Sequence, residues 1–251
     1  MVNYDPIEYI LLIPKIIEIL MFVFLAIKIY RSKDYILNKI YCYAFLTWTL
    51  YTLSDIIMWS NGANSITWLF IANRFRDLQV IAATIFAFLM YFSTRIIIVG
   101  YKGLNKKKII SLFIIFLIIA ILLAITDSLD VYDGDGILLT SDEWESADLV
   151  IVSPNIGIVT AILMMVPLFL YIVSVVSLIK LVKTKIEDPD LKKRMNYLIV
   201  GISLIPIGVI YFAIILGFPN IYNAFTGILG RIIWIIAPIF VWLSQRQKKI
   251  E

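Results

Sequence analysis

Seven long apolar stretches constrain this chain more than any other feature of its sequence. They lie at about 7–29, 40–60, 75–99, 109–126, 154–179, 196–217 and 224–243. Each is close to the roughly 20 apolar residues that a helix needs to cross the hydrocarbon core of a bilayer. Because 61% of the residues are hydrophobic and only 16% are charged, the sequence predicts an all-α integral membrane protein, with a single seven-transmembrane-helix bundle over 1–251.

The charge of the connections alternates along the chain. On one side lie Arg31, Lys33, Lys39, Lys102, Lys106, Lys107, Lys108, Lys180, Lys183, Lys185, Lys192, Lys193, Arg194, Arg246, Lys248 and Lys249. On the other side, the long loop 127–153 contains Asp and Glu but no Lys or Arg. Lys and Arg concentrate in cytoplasmic loops, so we expect a multi-pass protein of the cell membrane with its N-terminus outside and its C-terminus cytoplasmic. The acidic loop is then extracellular.

Composition excludes several classes of function. The net charge of +4 does not indicate nucleic-acid binding, because the basic residues occupy predicted cytoplasmic loops. The sequence contains no histidine, which rules out a histidine-held zinc site or a histidine base. The segment Asp133 to Gly136 resembles part of a calcium loop, but its ligand register is wrong. We therefore expect no metal, no cofactor and no catalytic residue.

Charged residues inside apolar spans are functional candidates, because each costs at least about 2.5–3.5 kcal/mol at the bilayer centre. The candidate ligand-binding residues of this kind are Lys15, Glu18, Asp55, Arg74, Asp77 and Arg231. A rise of about 1.5 Å per residue places them in the outer half of the bundle. If helices one, two, three and seven are neighbours, they converge on one polar pocket. The alternatives are an interhelical salt-bridge network and an ion or proton path.

Aromatic and proline residues add two further expectations. Trp48 and Tyr51 share a helix face with Asp55 and are candidate ligand contacts, although ordinary helix packing is the alternative. Pro167, Pro206 and Pro238 lie inside helices five, six and seven, where each favours a kink.

The third helix either starts near Thr67 as one long helix or is preceded by an interfacial piece. The fourth span, almost entirely Ile, Leu and Phe, is expected to be the most lipid-exposed. The fifth helix is expected to begin at Pro154.

Several stretches carry a resemblance to a known family. They are Trp48 to Asp55, "WLFIANRFRDLQVIAATIFAFLMY", "GLNKKK", "AITDSLDVY" and the run from Pro154 through "SLIKLVKTKIEDPDLKKRMNYLIVGISLIPIGVIYFAIILG". In their order they resemble the seven-helix N-terminal sensor region of prokaryotic histidine kinases. The resemblance implies a seven-helix bundle with an external N-terminus that passes a signal to a cytoplasmic output domain.

The leading hypothesis is accordingly a membrane sensor that binds a small ligand from the outside. The sequence contains no phospho-acceptor histidine, so we expect signalling to a separate cytoplasmic or membrane partner through the basic inner loops. The alternatives are a small-molecule transporter or permease, for which no internal repeat is found, and a structural subunit of a membrane complex. The ligand itself is not identified by the sequence.

Overall fold

The computed structural model describes residues 6–32, 35–60, 66–102, 104, 106–125, 129–133, 137, 143, 150–154, 158–217 and 223–245. The helices are α1 (Pro6–Ser32), α2 (Ile36–Ser60), α3 (Ile66–Val99), α4 (Lys106–Ile125), α5 (Ile158–Lys185), α6 (Pro189–Gly217) and α7 (Ala224–Ser244). Two strands, β1 (Leu129–Asp133) and β2 (Val150–Pro154), lie between α4 and α5. The described part of the chain thus confirms a helical architecture with seven helices.

Five of these helices are long and apolar enough to cross a membrane. They are α1, α3, α5, α6 and α7, with apolar windows at Ile10–Ser32, Ile71–Val99, Met165–Lys185, Pro189–Ile215 and Ala224–Ser244. The chain is therefore a multi-pass membrane protein in contact with the lipid bilayer. Membrane crossing by α2, which is rich in Tyr, Trp and Thr, and by α4 stays a prediction.

Local sequence signals explain where several helices end or begin. α3 is one continuous helix of 34 residues, so the first of the two alternatives for its start is the correct one. It ends at Gly100, which has a φ of +73° and donates its N–H to the carbonyl of Ile96 at 2.9 Å, as a left-handed glycine after a helix does. α7 begins after Asn223, which forms a reciprocal capping box with Thr226.

The acidic loop contains regular structure that the sequence analysis did not predict. β1 and β2 pair in antiparallel register, from Leu129 opposite Pro154 to Asp133 opposite Val150. The expectation that α5 begins at Pro154 is wrong, because Pro154 ends β2 and α5 begins at Ile158. The reason is the run of β-branched residues 150–152 before Pro154, which favours a strand. Residues 134–136 of the calcium-like segment lie outside the described residues.

The helices form a closed ring of six with α4 outside it. α1 packs between α2 and α7, α2 packs on α3, α3 on α5, α5 on α6, and α6 on α7. α4 packs mainly on α3 and barely touches α5. Its large apolar side chains are mostly exposed, including Ile110, Phe113 and Leu117. Their contact with lipid stays a prediction.

Aromatic side chains fill the centre of the ring. The Trp48 ring lies 5.0 Å from that of Phe86 and 5.2 Å from that of Trp234. The Tyr171 ring meets Phe86 edge-on at 5.4 Å, and its hydroxyl donates to the carbonyl of Ile202 at 2.7 Å. These contacts join α2, α3, α5, α6 and α7 in one core, with edge-on and tilted geometries that aromatic pairs favour.

Two contacts identify which helix termini lie together. The Lys28 ammonium, near the end of α1, lies 4.8 Å from the ring centroid of Trp242 near the end of α7. The Arg194 guanidinium, near the start of α6, donates to the carbonyl of Ser244 at 2.9 Å. We call this the basic end of the bundle, since the Lys-rich and Arg-rich connections lie there. The opposite end, where α7 begins and β1 and β2 lie, is called the acidic end.

Candidate functional site

Four charged side chains from three helices meet inside the half of the bundle nearer the acidic end. α1 supplies Lys15 and Glu18, which share one face because they are three residues apart. α2 supplies Asp55, and α7 supplies Arg231. No more than 5% of the surface of any of the four residues is exposed. We call these four residues the charge cluster.

Arg231 joins the cluster by contacting both carboxylates. Its Nη1 lies 3.2 Å from Oε2 of Glu18, and its Nη2 donates to Oδ2 of Asp55. Nζ of Lys15 forms an ion pair with the same Oδ2 at 2.8 Å. Two cations thus face two carboxylates, so the cluster is electrically neutral, which offsets much of the cost of burying each charge.

Neutral donors bind the other carboxylate oxygens. Oε1 of Glu18 accepts from the indole Nε1 of Trp48 at 2.9 Å and from the hydroxyl of Thr52 at 2.8 Å. Oδ1 of Asp55 accepts from Nε2 of Gln79 at 3.0 Å. Each carboxylate therefore has both oxygens bonded, as buried charged groups require. α3 joins the network through Gln79.

Aromatic rings enclose the guanidinium of Arg231. Its central carbon lies 5.0 Å from the ring centroid of Trp234 and 5.3 Å from that of Phe212, within the range of cation–π attraction. The Trp234 ring is itself fixed by a hydrogen bond from its Nε1 to the carbonyl of Ile205 at 3.0 Å. Tyr51 stacks on Trp48 at 4.7 Å. Rings from α2, α6 and α7 thus border the charges.

Polar side chains continue from the cluster along α3 toward its beginning. Oε1 of Gln79 accepts from Nη1 of Arg76 at 2.5 Å, and Arg76 is half-buried. Near it, Arg74 pairs with Asp77 at 3.1 Å within α3. The Arg74 side chain is 68% exposed while that of Asp77 is 6% exposed. Polar side chains therefore extend from buried Asp55 through Gln79 to half-buried Arg76; together with exposed Arg74 nearby on the same helix, we call them the polar path.

The structure brings together Lys15, Glu18, Asp55 and Arg231, and it adds Trp48 as a direct partner of Glu18. It places Tyr51 against Trp48 and Trp234 in the aromatic packing. Arg74 and Asp77 form a local pair on α3. The ligand-binding role proposed for these eight residues stays a prediction.

Sequence reasoning missed four members of the network. Thr52, Gln79, Arg76 and Phe212 bind or border the charges but were not singled out. Thr52 lies one turn after Trp48 and one turn before Asp55, so its position on their face was a usable signal. Gln79 is a polar residue in an apolar span, which is also informative. Phe212 is one of many apolar residues, and its sequence position gives no such signal.

Comparison with known proteins assigns no family. The chain matches no protein-family model, and no curated protein matches it. The resemblance to seven-helix sensor regions therefore stays a prediction, and function is inferred from the charge cluster. Within the described residues, no group of three or more His, Cys, Asp and Glu side chains has a metal-binding arrangement.

Proposed function

We propose that this protein is a seven-span, receptor-like membrane sensor whose charge cluster is the site of ligand action. In this proposal the N-terminus lies outside and the C-terminus is cytoplasmic, so the cluster lies in the outer half of the membrane. The observation that supports it most is the bridging of Glu18 and Asp55 by Arg231, through which one cation joins three helices. A small charged ligand that competes for these groups would loosen those contacts.

The energetics favour a functional use of the cluster. Charges in a membrane span are costly even when paired, and apolar side chains of similar volume often replace a buried ion pair at no loss of stability. If these positions only stabilised the packing of the bundle, apolar residues there would be sufficient. The pairs also give a definite resting arrangement, which a ligand can shift only by binding another arrangement more tightly.

The polar path on α3 provides a route to the cluster. Asp55 is linked through Gln79 to half-buried Arg76, and exposed Arg74 lies near the beginning of the same helix. A ligand with an anionic group would meet these arginines first. A ligand with a cationic group would compete with Lys15 for Asp55.

The output would pass along the helices that the cluster joins. α1 and α7 meet again at the basic end through Lys28 and Trp242, and α7 contacts α6 there through Ser244 and Arg194. Movement of α1 against α7 would therefore change the helix contacts at the basic end. The Lys-rich connection between α5 and α6 lies at this end and is the surface we assign to a cytoplasmic signalling partner.

A structural role is the second candidate, and one observation favours it. All four charges are paired with one another, and aromatic rings enclose Arg231. Such a network would stabilise the bundle without binding any ligand. The chain would then act as a subunit of a larger membrane assembly.

A charge-neutral double variant separates the two candidates. Lys15→Met with Asp55→Asn removes one cation and one carboxylate, keeps the pairing of Arg231 with Glu18, and leaves the net charge unchanged. The protein, released gently from its own membranes, is examined by native mass spectrometry. The receptor proposal expects a bound small molecule on the wild type that is lost from the variant.

The matched control is Asp190→Asn with Lys192→Met, which makes the same two replacements at exposed positions of the basic end. It should keep the bound molecule. Equal spectra for the wild type, the variant and the control, with a protein partner in each, would favour the structural role instead.

A further inference from the structure

A cavity of about 240 Å³ lies between α3 and α4, far from the charge cluster. It is formed by the last part of α3 and the first part of α4, so it lies toward the basic end. Its walls include Phe88, Tyr91, Phe92 and Arg95 from α3 and Lys108 and Leu112 from α4. The proposed function makes no use of this cavity.

The charged side chains that line the cavity are all cationic. Arg95 and Lys108 are exposed, and the described lining contains no carboxylate. The sequence has no Asp or Glu anywhere from Leu78 to Ile125. Lys102 and Lys107 are exposed close by in the chain. Charge complementarity therefore favours an anionic occupant.

The polarity of the cavity changes with depth. Arg95 is four residues from the end of α3, which places it about 6 Å from that end, and Phe88 is about 10 Å deeper. Lys108 lies in the first turn of α4. Cationic groups thus mark the mouth, and aromatic rings mark the interior. An amphipathic molecule with its anionic group at the membrane surface matches this gradient.

We propose that this cavity binds a phospholipid with an anionic headgroup. The phosphate contacts Arg95 and Lys108, and Tyr91 lines the cavity one turn from Arg95 on α3. The glycerol and the first part of an acyl chain lie against Phe88, Phe92 and Leu112. Basic pockets between membrane helices bind such headgroups. A free phosphate would use the two cations but not the apolar interior.

The size of the cavity and the packing of α4 agree with a lipid. The cavity is smaller than the roughly 300–1,000 Å³ of sites that enclose a whole drug-sized ligand, so the rest of the acyl chains lies outside, against the exposed apolar face of α4. α4 packs mainly on α3. A lipid seated in the cleft adds contacts to both helices and fixes α4 against the ring.

The first test measures lipid adducts by native mass spectrometry, with phosphatidylglycerol and phosphatidylcholine as probes. The wild type should bind phosphatidylglycerol more tightly than phosphatidylcholine. Each cation near an anionic lipid surface contributes about a fivefold gain in affinity, so Arg95→Gln with Lys108→Gln should weaken phosphatidylglycerol binding roughly 25-fold. Binding of phosphatidylcholine should change much less.

Two further variants serve as controls for charge and for shape. Lys183→Gln with Lys192→Gln removes the same charge from exposed positions toward the basic end, outside the cavity lining, and should leave the lipid preference unchanged. Leu112→Trp fills the interior without altering charge and should weaken both lipids. Thermal unfolding of each variant in detergent shows whether it is folded.

Two results would overturn the proposal. One is a loss of phosphatidylglycerol affinity in the Lys183 and Lys192 variant as large as in the Arg95 and Lys108 variant. The other is effective competition by inorganic phosphate together with no effect of Leu112→Trp, which would mean that the cavity binds a free anion. Neither result depends on whether the charge cluster binds a ligand.

Discussion

Arg231 couples three helices, because its guanidinium contacts carboxylates from two other helices. Arg231→Met keeps much of the side-chain volume but leaves Glu18 and Asp55 with one cation between them. Removing one member of a buried pair costs about 3–5 kcal/mol. We expect a loss of unfolding free energy of at least this size, measured by denaturation in detergent.

Arg74→Met is the matched control for that change. It removes the same charge and introduces the same side chain at a position that is 68% exposed. Solvent reaches the Arg74 guanidinium although its partner Asp77 is buried, so we expect a smaller loss than for Arg231→Met. Equal effects of the two substitutions would contradict a stabilising role for the Arg231 pairs.

Thr52 offers a finer residue-scale test. Thr52→Val removes the hydroxyl that donates to Glu18 at 2.8 Å and preserves the shape of the side chain. We expect a loss of about 1–3 kcal/mol, because one oxygen of a fully buried carboxylate loses a donor. The measurement is the midpoint of thermal unfolding, compared with that of the wild type.

Thr49→Val provides the comparison for Thr52. Thr49 lies on the same helix and donates its hydroxyl to the carbonyl of Phe45 at 3.0 Å, much as Thr52 also approaches the carbonyl of Trp48. It has no hydrogen bond to Glu18. A destabilisation by Thr49→Val as large as that by Thr52→Val would assign the effect to the helix rather than to the cluster.

At the scale of elements, α6 and α7 pack closely because glycines face large rings. A Cβ on Gly208 would lie against the indole of Trp234, and a Cβ on Gly230 would lie against Phe212. Both rings border Arg231. Each helix therefore uses a glycine to accommodate an aromatic ring of the other helix, and these two rings border the charge cluster.

Gly208→Ala should disturb this packing. The added methyl would displace Trp234, whose Nε1 donates to Ile205, and overpacking of this kind costs about 1–3 kcal/mol. Any gain in helix propensity is about 1 kcal/mol at most, so the net change should be destabilising. Thermal unfolding and the fluorescence of the tryptophans would report it.

Ala213→Val is the control on the same helix. It adds volume at an exposed position, where neighbouring side chains do not limit the space. We expect a change within a few tenths of a kcal/mol, as for most surface substitutions. If Gly208→Ala were equally mild, Gly208 could not lie as close to Trp234 as it does in the structure.

Local sequence predicted some helix boundaries correctly and others wrongly. The end of the third span at about residue 99 agrees with the end of α3 at Val99, whereas the sequence left the continuity of α3 open between two alternatives. The start of α5 was predicted wrongly, because Pro154 suits both the first turn of a helix and an edge strand such as β2. Pairing with β1, which is distant in the sequence, decides in favour of the strand.

At the scale of the whole molecule, the orientation in the membrane can be tested by cysteine labelling. Cys42 is the single cysteine and is buried, so Cys42→Ser gives a background without reactive thiols. Glu143→Cys, in the acidic loop, should react with a membrane-impermeant maleimide in intact cells. Lys102→Cys and Lys192→Cys, at the basic end, should react only after the membrane is opened.

The reverse pattern would place the basic end outside and contradict the orientation expected from the charges. It would also move the charge cluster to the cytoplasmic half and remove the proposed access for an external ligand. Labelling of all three positions in intact cells would contradict an arrangement in which these two ends lie on opposite sides of the membrane.

The sequence by itself determined the helical membrane class, because hydrocarbon admits long apolar helices whose backbone groups are bonded internally. It also identified Lys15, Glu18, Asp55 and Arg231, because charges stand out against an apolar background. These signals are local, since each can be recognised from the residues immediately around it.

Only the tertiary structure decided which of these charges pair. Arg231 meets both Glu18 and Asp55 because α1 packs between α2 and α7, and the sequence distances between these helices do not determine that order. Gln79 and Phe212 enter the network for the same reason. The cavity between α3 and α4 likewise depends on how two helices meet, since side-chain complementarity across a bundle is a property of the packed helices together.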